Sequence, residues 1–357
     1  MPTGWPSFSL AYNQRINPEL LDNLRPQGPH GWLCIHKPTG ITSARVVAVV
    51  KRCFKGVKTG HAGTLDPLAS GVLPIALGEA TKTISYVMTA EKSYRFSVKW
   101  GAETQTDDTE GSITRTADYI PPASAITDIL PQFIGLIDQI PPDYSAVKIQ
   151  GKRAYALARS RDKAGQDILN SETPNSETSA IETSAEAGPL LAARKIRIDS
   201  LELLSAEAEE AHFEVHCGKG AYIRSLARDL GRALGSAAHV TALERRSVGK
   251  FHLDNAISLD FLQEIGQGAG ASDPVISVMT VLDDIPAVAL IDDEAKRLRF
   301  GQKLSLDLER QAVLRRAFAD SGDTEHTDRA IAVFEGRPVA LVQLENSILS
   351  PMRVLNL

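Results

Sequence analysis

Gly60-His61-Ala62-Gly63-Thr64-Leu65-Asp66-Pro67-Leu68-Ala69-Ser70-Gly71 is the segment on which the reading of this 357-residue chain turns. Its glycines permit tight backbone turns and the close approach of a ligand. Pro67 biases Asp66 away from the helical region. An aspartate held extended on a constrained loop can present its carboxylate to a cleft, and the ring of His61 can stack or form a hydrogen bond beside it. Read alone, however, an Asp-Pro pair favours a plain turn over a catalytic position.

Upstream of the loop, Gly31 to Lys37 alternates like a strand, Pro38-Thr39-Gly40 makes a turn, and Thr42 or Ser43 caps a helix carrying Val46, Val47, Val49 and Val50. Downstream come an apolar strand (Val72 to Leu77), a helix near Glu79 to Thr89, and a strand from Ser93 to Trp100 with Tyr94, Phe96 and Val98 on one face. Further strands are expected over Lys195 to Leu204 and Ala211 to Cys217, followed by a helix from about Tyr222 to Leu234. The pattern is α+β.

That last helix has two characters. Ile223, Leu226, Ala227, Leu230 and Leu234 form a dry stripe, whereas Arg224, Arg228 and Arg232 form an i, i+4, i+8 row. Arg224 sits too near the helix N-terminus to be favoured by the dipole, so an anion or a carboxylate partner is expected. A solvated arginine row is the plain alternative. His212 and His216 alternate with Phe213, Val215 and Cys217 and therefore read as strand residues; their rings would stand roughly 13 Å apart, too far to share one metal ion. Neither a G-x-G-x-x-G nor a Walker-type loop is present, so a nucleotide cofactor has no support.

With 43% hydrophobic residues the chain can bury a sizeable core. Cys34, Cys53 and Cys217 are odd in number and in no ligand spacing, which suits reduced thiols in a cytoplasmic protein. No stretch approaches the roughly 18 apolar residues of a membrane span. The formal net charge of −5 argues weakly against an RNA partner, but charge is segregated. Arg45, Lys51, Arg52, Lys55 and Lys58 form a run without an acid, and Lys148, Lys152, Arg153, Arg159, Arg161 and Lys163 outnumber Asp162 in another. The proline-rich residues 1–29 read as a flexible extension. The stretch 162–188, rich in Ser, Thr, Glu and Ala, reads as a disordered loop. A domain boundary is expected in the Gly/Ala/Ser-rich stretch from Gly266 to Ser272.

The loop through Asp66, extended to Val72-Leu73, resembles the catalytic motif of the bacterial TruB-type tRNA pseudouridine synthases. It is joined in order by Lys37-Pro38-Thr39-Gly40, Lys92-Ser93-Tyr94-Arg95-Phe96, Tyr144-Ser145-Ala146-Val147-Lys148, Lys219-Gly220-Ala221-Tyr222-Ile223-Arg224-Ser225 and Ala238-His239-Val240. These markers span about residues 31 to 260 and move Asp66 from turn residue to catalytic candidate.

The resemblance implies a pseudouridine synthase fold, with a central mixed, mainly antiparallel sheet flanked by helices, and a small β-rich PUA-like domain over 283–357. The catalytic domain would cover 30–270, with a thumb-like insertion at about 144–190. The implied activity is isomerisation of uridine 55 in the tRNA T-loop: base flipping, cleavage of N1–C1′, rotation of the uracil and re-attachment through C5, with no metal or organic cofactor. By motif position Asp66 is the essential aspartate, Tyr94 the tyrosine that packs on the base and assists proton removal from C5, and Arg224 the partner of the aspartate. His61 matches the histidine filling the space left by the flipped nucleotide, Tyr222 and Leu243 match pocket positions, and Lys37 matches a structural or substrate-contacting lysine. Asp108 occupies a family acidic position, while Gln105 stands where another acid is expected. An aspartate suits either attack at C1′ or removal of the 2′ proton.

The implied partner is tRNA, met by a monomer without guide RNA or membrane. Two other readings are a guide-RNA-dependent relative of the archaeal and eukaryotic kind, and a non-catalytic tRNA chaperone. Leu68 to Leu73 and the thumb-like insertion speak against the first, and the Asp66, Tyr94 and Arg224 set against the second.

Overall fold

The computed structural model describes residues 29–145, 147–149, 151–169, 191–266, 274–320 and 328–357. The expectations for residues 1–28 and 170–190 lie outside them. The chain divides into two compact units, one holding His30–Ile285 and the other Pro286–Leu357.

The larger unit is built on a mixed, mainly antiparallel sheet. Its path runs β1 (Gly31–Lys37), β3 (Ser70–Leu77), β12 (Ala238–Val248), β4 (Lys92–Trp100), β11 (Glu210–Cys217), β10 (Arg194–Glu207) and β7 (Gly135–Gln139), with β2 (Thr59–His61) on β3 and β13 (Phe251–His252) on β12. Only the β3–β12 contact is parallel along this path. Alternation explains the core: Tyr94, Phe96, Val98 and Trp100 of β4 and Phe213, Val215 and Cys217 of β11 are buried. Phe96 and Phe213 stack 5.2 Å apart, a pairing worth about 0.5–1.5 kcal/mol beyond its burial.

Helix α1 (Ser43–Cys53) starts where sequence places it, with the Thr42 side chain accepting from the Arg45 amide and Val46, Val49 and Val50 buried. The helix expected over 79–89 is a 3₁₀ segment, Gly78–Thr83, followed by α2 (Ile84–Thr89). Before the next long element come β5 (Ala102–Thr104) with β6 (Ile113–Thr116), α3 (Ala123–Ile129), and the short hairpin β8 (Lys148–Ile149) and β9 (Lys152–Arg153). Helix α4 spans Ala154–Leu169, so Asp162 to Leu169 are helical and not loop. The correction has a local cause, since Ala, Leu, Arg, Lys and Gln in this run are strong helix formers.

The domain boundary also needs correction. Beyond α5 (Ile223–Ala233) and α6 (Leu259–Gly266), the chain does not leave the larger unit at Gly266 to Ser272. Ile276 exchanges both backbone hydrogen bonds with Trp32 at 2.7 and 2.8 Å, and α7 (Val278–Val281) packs on β1, so the division falls at Ile285. Backbone pairing to β1, at the edge of the sheet, holds this segment in the larger unit.

The smaller unit is a five-stranded sheet, β14 (Ala287–Ala289), β16 (Arg329–Phe334), β17 (Arg337–Glu345), β18 (Ile348–Val354) and β15 (Leu304–Ser305) in that order. Helices α8 (Asp292–Arg299) and α9 (Leu308–Asp320) cover its core through Leu298 and Leu314, and Arg310 joins them by a two-pronged bond to Glu294 at 2.8 Å.

Candidate active site

The Asp66 loop is pinned from several sides. Ser43 Oγ donates to the Leu65 carbonyl (3.0 Å) and accepts from its amide (2.9 Å), while Gly40 N donates to Pro67 O (2.8 Å) and Ala62 N to Pro74 O (2.9 Å). Ala62, Leu65 and Ala69 bury their side chains as apolar anchors. The amide of Ala69 donates to the Asp66 carbonyl at 3.1 Å, so Asp66 does open a turn with Pro67 second, and the same turn directs its carboxylate outward. Gly71 has φ +102°, and a Cβ there would lie 2.2 Å from the Arg245 carbonyl oxygen. This close approach lets β3 pair with β12 at Gly71↔Arg245.

The carboxylate, about one-third exposed, meets the guanidinium of Arg224. Arg224 Nε stands 2.9 Å from Asp66 Oδ2, an ion-pair contact in which the Nε–H is not aimed at the oxygen and makes no hydrogen bond. Arg224 is 4% exposed, and its other nitrogens donate to Thr106 O (2.7 Å) and Tyr144 O (3.0 Å), with Asp108 Oδ2 3.4 Å away. The carboxylate partner expected for a cation at a helix start is thus present, twice over.

The solvated arginine row is overturned. Arg228 is 9% exposed and pairs with Asp107 at 2.9 Å, and Arg232 grips Glu103 with Nε and Nη2 at 2.9 and 2.7 Å. Burial pushes the Asp107 carboxyl up to about 6 against the pull of Arg228 and Arg224. Gln105 does not disable this turn, because Asp107 and Asp108 carry its charged contacts.

Asp66 and Arg224 open into a cleft of about 700 Å³ shared with Tyr94, Tyr222 and Leu243. Tyr94 and Leu243 come from β4 and β12, where Tyr94 pairs with Arg245 and Phe96 with Leu243. Burial holds the Tyr94 phenol above its ordinary pKa, and the neighbouring Arg245 draws it back down. Gln139 fixes Tyr222 by accepting from its amide (2.8 Å) and donating to its carbonyl (3.1 Å), and Arg194 lies 5.1 Å over its ring.

Two predicted site residues stand outside this wall. Lys37 is fully buried and donates to Pro38 O (2.9 Å), Ile41 O (2.8 Å) and Pro67 O (3.4 Å), which makes it a clamp under the loop and not a group facing substrate. Burial lowers its ammonium to about 8. His61 lies on β2 opposite Ile75, half-buried, and the cleft wall does not include it. Burial, with the charge of Arg245, lowers its pKa against a backbone hydrogen bond with Gly63.

Sequence reasoning missed Arg245, which is 1% exposed, donates to Val72 O (2.7 Å) and Gly63 O (3.0 Å), and lines the cleft. It missed Lys92 as well, whose ammonium burial lowers to about 8. The wall holds Lys92, Arg194, Lys195, Lys219, Arg224 and Arg245 against the single acid Asp66. A basic cleft of this kind attracts a polyanion. Elsewhere, Arg45, Lys51, Arg52, Lys55 and Lys58 are exposed, and among the described residues none meets an acid. In the second basic run Arg161 pairs with Asp143 at 2.9 Å, and the side chains of Lys148, Arg153, Asp162 and Lys163 lie outside the described residues.

Residues 51–174 match the TruB family pseudouridylate synthase N-terminal domain, and residues 224–279 match the tRNA pseudouridylate synthase B C-terminal domain. The chain is 44% identical to the tRNA pseudouridine synthase B of Rhodospirillum rubrum over 93% of its own length and 98% of that protein. It is 45% identical to that of Nitrobacter winogradskyi over 92% and 83%. Among solved structures it resembles a Cbf5–Nop10–Gar1 complex (TM-score 0.62, 22% identity, 91% of this chain and 84% of that one). It also resembles an H/ACA RNP bound to a substrate RNA containing 2′-deoxyuridine (0.62, 21%, 96% and 92%), and both likenesses speak to the fold. This chain belongs to the TruB family of pseudouridylate synthases.

Proposed function

We propose that the chain isomerises uridine 55 in the T-loop of tRNA to pseudouridine, as a cytoplasmic monomer and without a guide RNA. The observation that carries this reading is the Asp66–Arg224 pair at 2.9 Å inside a cleft whose other charged wall residues, among those described, are all basic. Cations favour the phosphate backbone, and the cleft admits an extruded nucleotide. Unstacking a base costs a few kcal/mol, and stacking on an aromatic ring returns roughly 1–3 kcal/mol.

In this reading Asp66 acts at the ribose of the flipped uridine and Arg224 orients and stabilises the carboxylate. Tyr94 packs on the uracil, and Arg245 beside it offsets part of the burial cost of the phenolate that would accept the C5 proton. Tyr222 and Leu243 close the base pocket. His61, away from the cleft wall, fills the place left in the RNA stack. Identity of 44–45% to proteins named tRNA pseudouridine synthase B supports tRNA as the substrate. The test is nucleotide-resolution mapping of pseudouridine in an unmodified tRNA transcript treated with purified protein alone. Product at uridine 55 is expected, and product that appears only after a guide RNA is added contradicts the proposal.

A further inference from the structure

Arg224 is held by two chain segments, the turn that ends β5 and the stretch leaving β7. It donates to Thr106 O in the first and Tyr144 O in the second. One helical turn further along α5, Arg228 grips the same two segments. Its Nη1 meets Asp107 Oδ2 at 2.9 Å and its Nη2 donates to Ile140 O at 2.8 Å, while Nε is taken by Asp229 at 3.0 Å. Asp107 itself is 6% exposed and adopts φ +59°, a left-handed conformation uncommon outside glycine. Its carbonyl also accepts from Val240 N (3.1 Å) on β12, the strand that carries Leu243 and Arg245.

We propose that the buried Asp107–Arg228 ion pair is a positioning element for the reaction, locking the 104–108 turn and the 140–144 stretch to α5 so that the Arg224 guanidinium stays beside Asp66. Neither residue lines the cleft, so both act through Arg224. Arg232 and Glu103 continue the row outward, but Arg232 is exposed, so solvent weakens that contact. Removing one member of a buried pair strands the other charge, whereas neutralising both leaves two groups that still hydrogen-bond.

The inference rests on the pseudouridine synthase reading and is tested with tRNA transcript as the probe. Asp107→Asn and Arg228→Gln are each expected to lower kcat about 10- to 100-fold, with KM and tRNA Kd within about threefold of wild type. The double variant is expected to recover kcat to within about threefold of wild type. Either folded single variant with kcat within twofold of wild type overturns the proposal. So does a double variant whose kcat is more than tenfold below wild type, and this arm decides if a single variant does not fold. Wild-type protein that makes no pseudouridine defeats the underlying reading instead, so the two failures are distinct.

Discussion

Asp66 is a turn residue and a site residue at once, and the physics of the two is shared. Its backbone carbonyl closes the turn with Ala69, and the turn is what exposes the carboxylate to Arg224. The glycine pattern makes the loop legible in sequence, yet the residues under it are not. For Lys37 the sequence leaves structure and substrate contact both open, and only three carbonyls at its ammonium decide between them. Arg245 is unreadable because its partners, Val72 and Gly63, lie about 180 residues away in sequence. Gly71→Ala is predicted to cost roughly 2–5 kcal/mol, since the added Cβ would strike backbone at φ +102°. Denaturant unfolding checks this, and a loss under about 1 kcal/mol contradicts it.

Lys37 supplies a pH test. Burial lowers its folded-state pKa from 10.5 to about 8, so the folded chain binds this proton less tightly than the unfolded chain does. The charge is a cost below pH 8, and that cost is withdrawn between about 8 and 10.5, so this group's contribution to stability rises with pH across the window. Unfolding free energy measured between pH 8 and 10 should therefore climb more steeply for wild type than for Lys37→Met. Parallel slopes contradict the assignment.

Among the elements, helix α5 divides into a dry stripe and an arginine row, as its 3.6-residue period foretells. The period cannot foretell that Arg224 and Arg228 are buried and that all three arginines are paired, because Glu103, Asp107 and Asp108 meet the row across more than 110 residues of sequence. Helix α1 presents the opposite case, an exposed basic face whose charges stay unpaired among the described residues. Replacing Lys51, Arg52 and Lys55 together by Gln is predicted to weaken tRNA binding. The slope of log K against log salt should flatten by roughly 0.7–0.9 for each phosphate that is no longer neutralised. An unchanged slope would mean that this face is merely solvated. The extension of α4 to Leu169 is hidden in the sequence because the Ser, Thr and Glu composition beyond it masks the helix formers before it.

Over the whole molecule, the formal charge of −5 is a poor guide, since a local wall of six bases and one acid decides what the cleft attracts. The strand order, with β3 and β12 parallel next to the β1 edge, cannot be read from local pattern, although it helps bring Asp66, Tyr94, Arg224, Tyr222 and Leu243 around one cleft. The proposed function turns on Asp66 as the carboxylate that does the chemistry while its surroundings hold the RNA. A side-by-side comparison of wild type with Asp66→Asn, for tRNA affinity and for pseudouridine at uridine 55, separates the two roles. The variant should bind tRNA within about threefold of wild type and form no pseudouridine; substantial product from it would remove Asp66 from the chemistry.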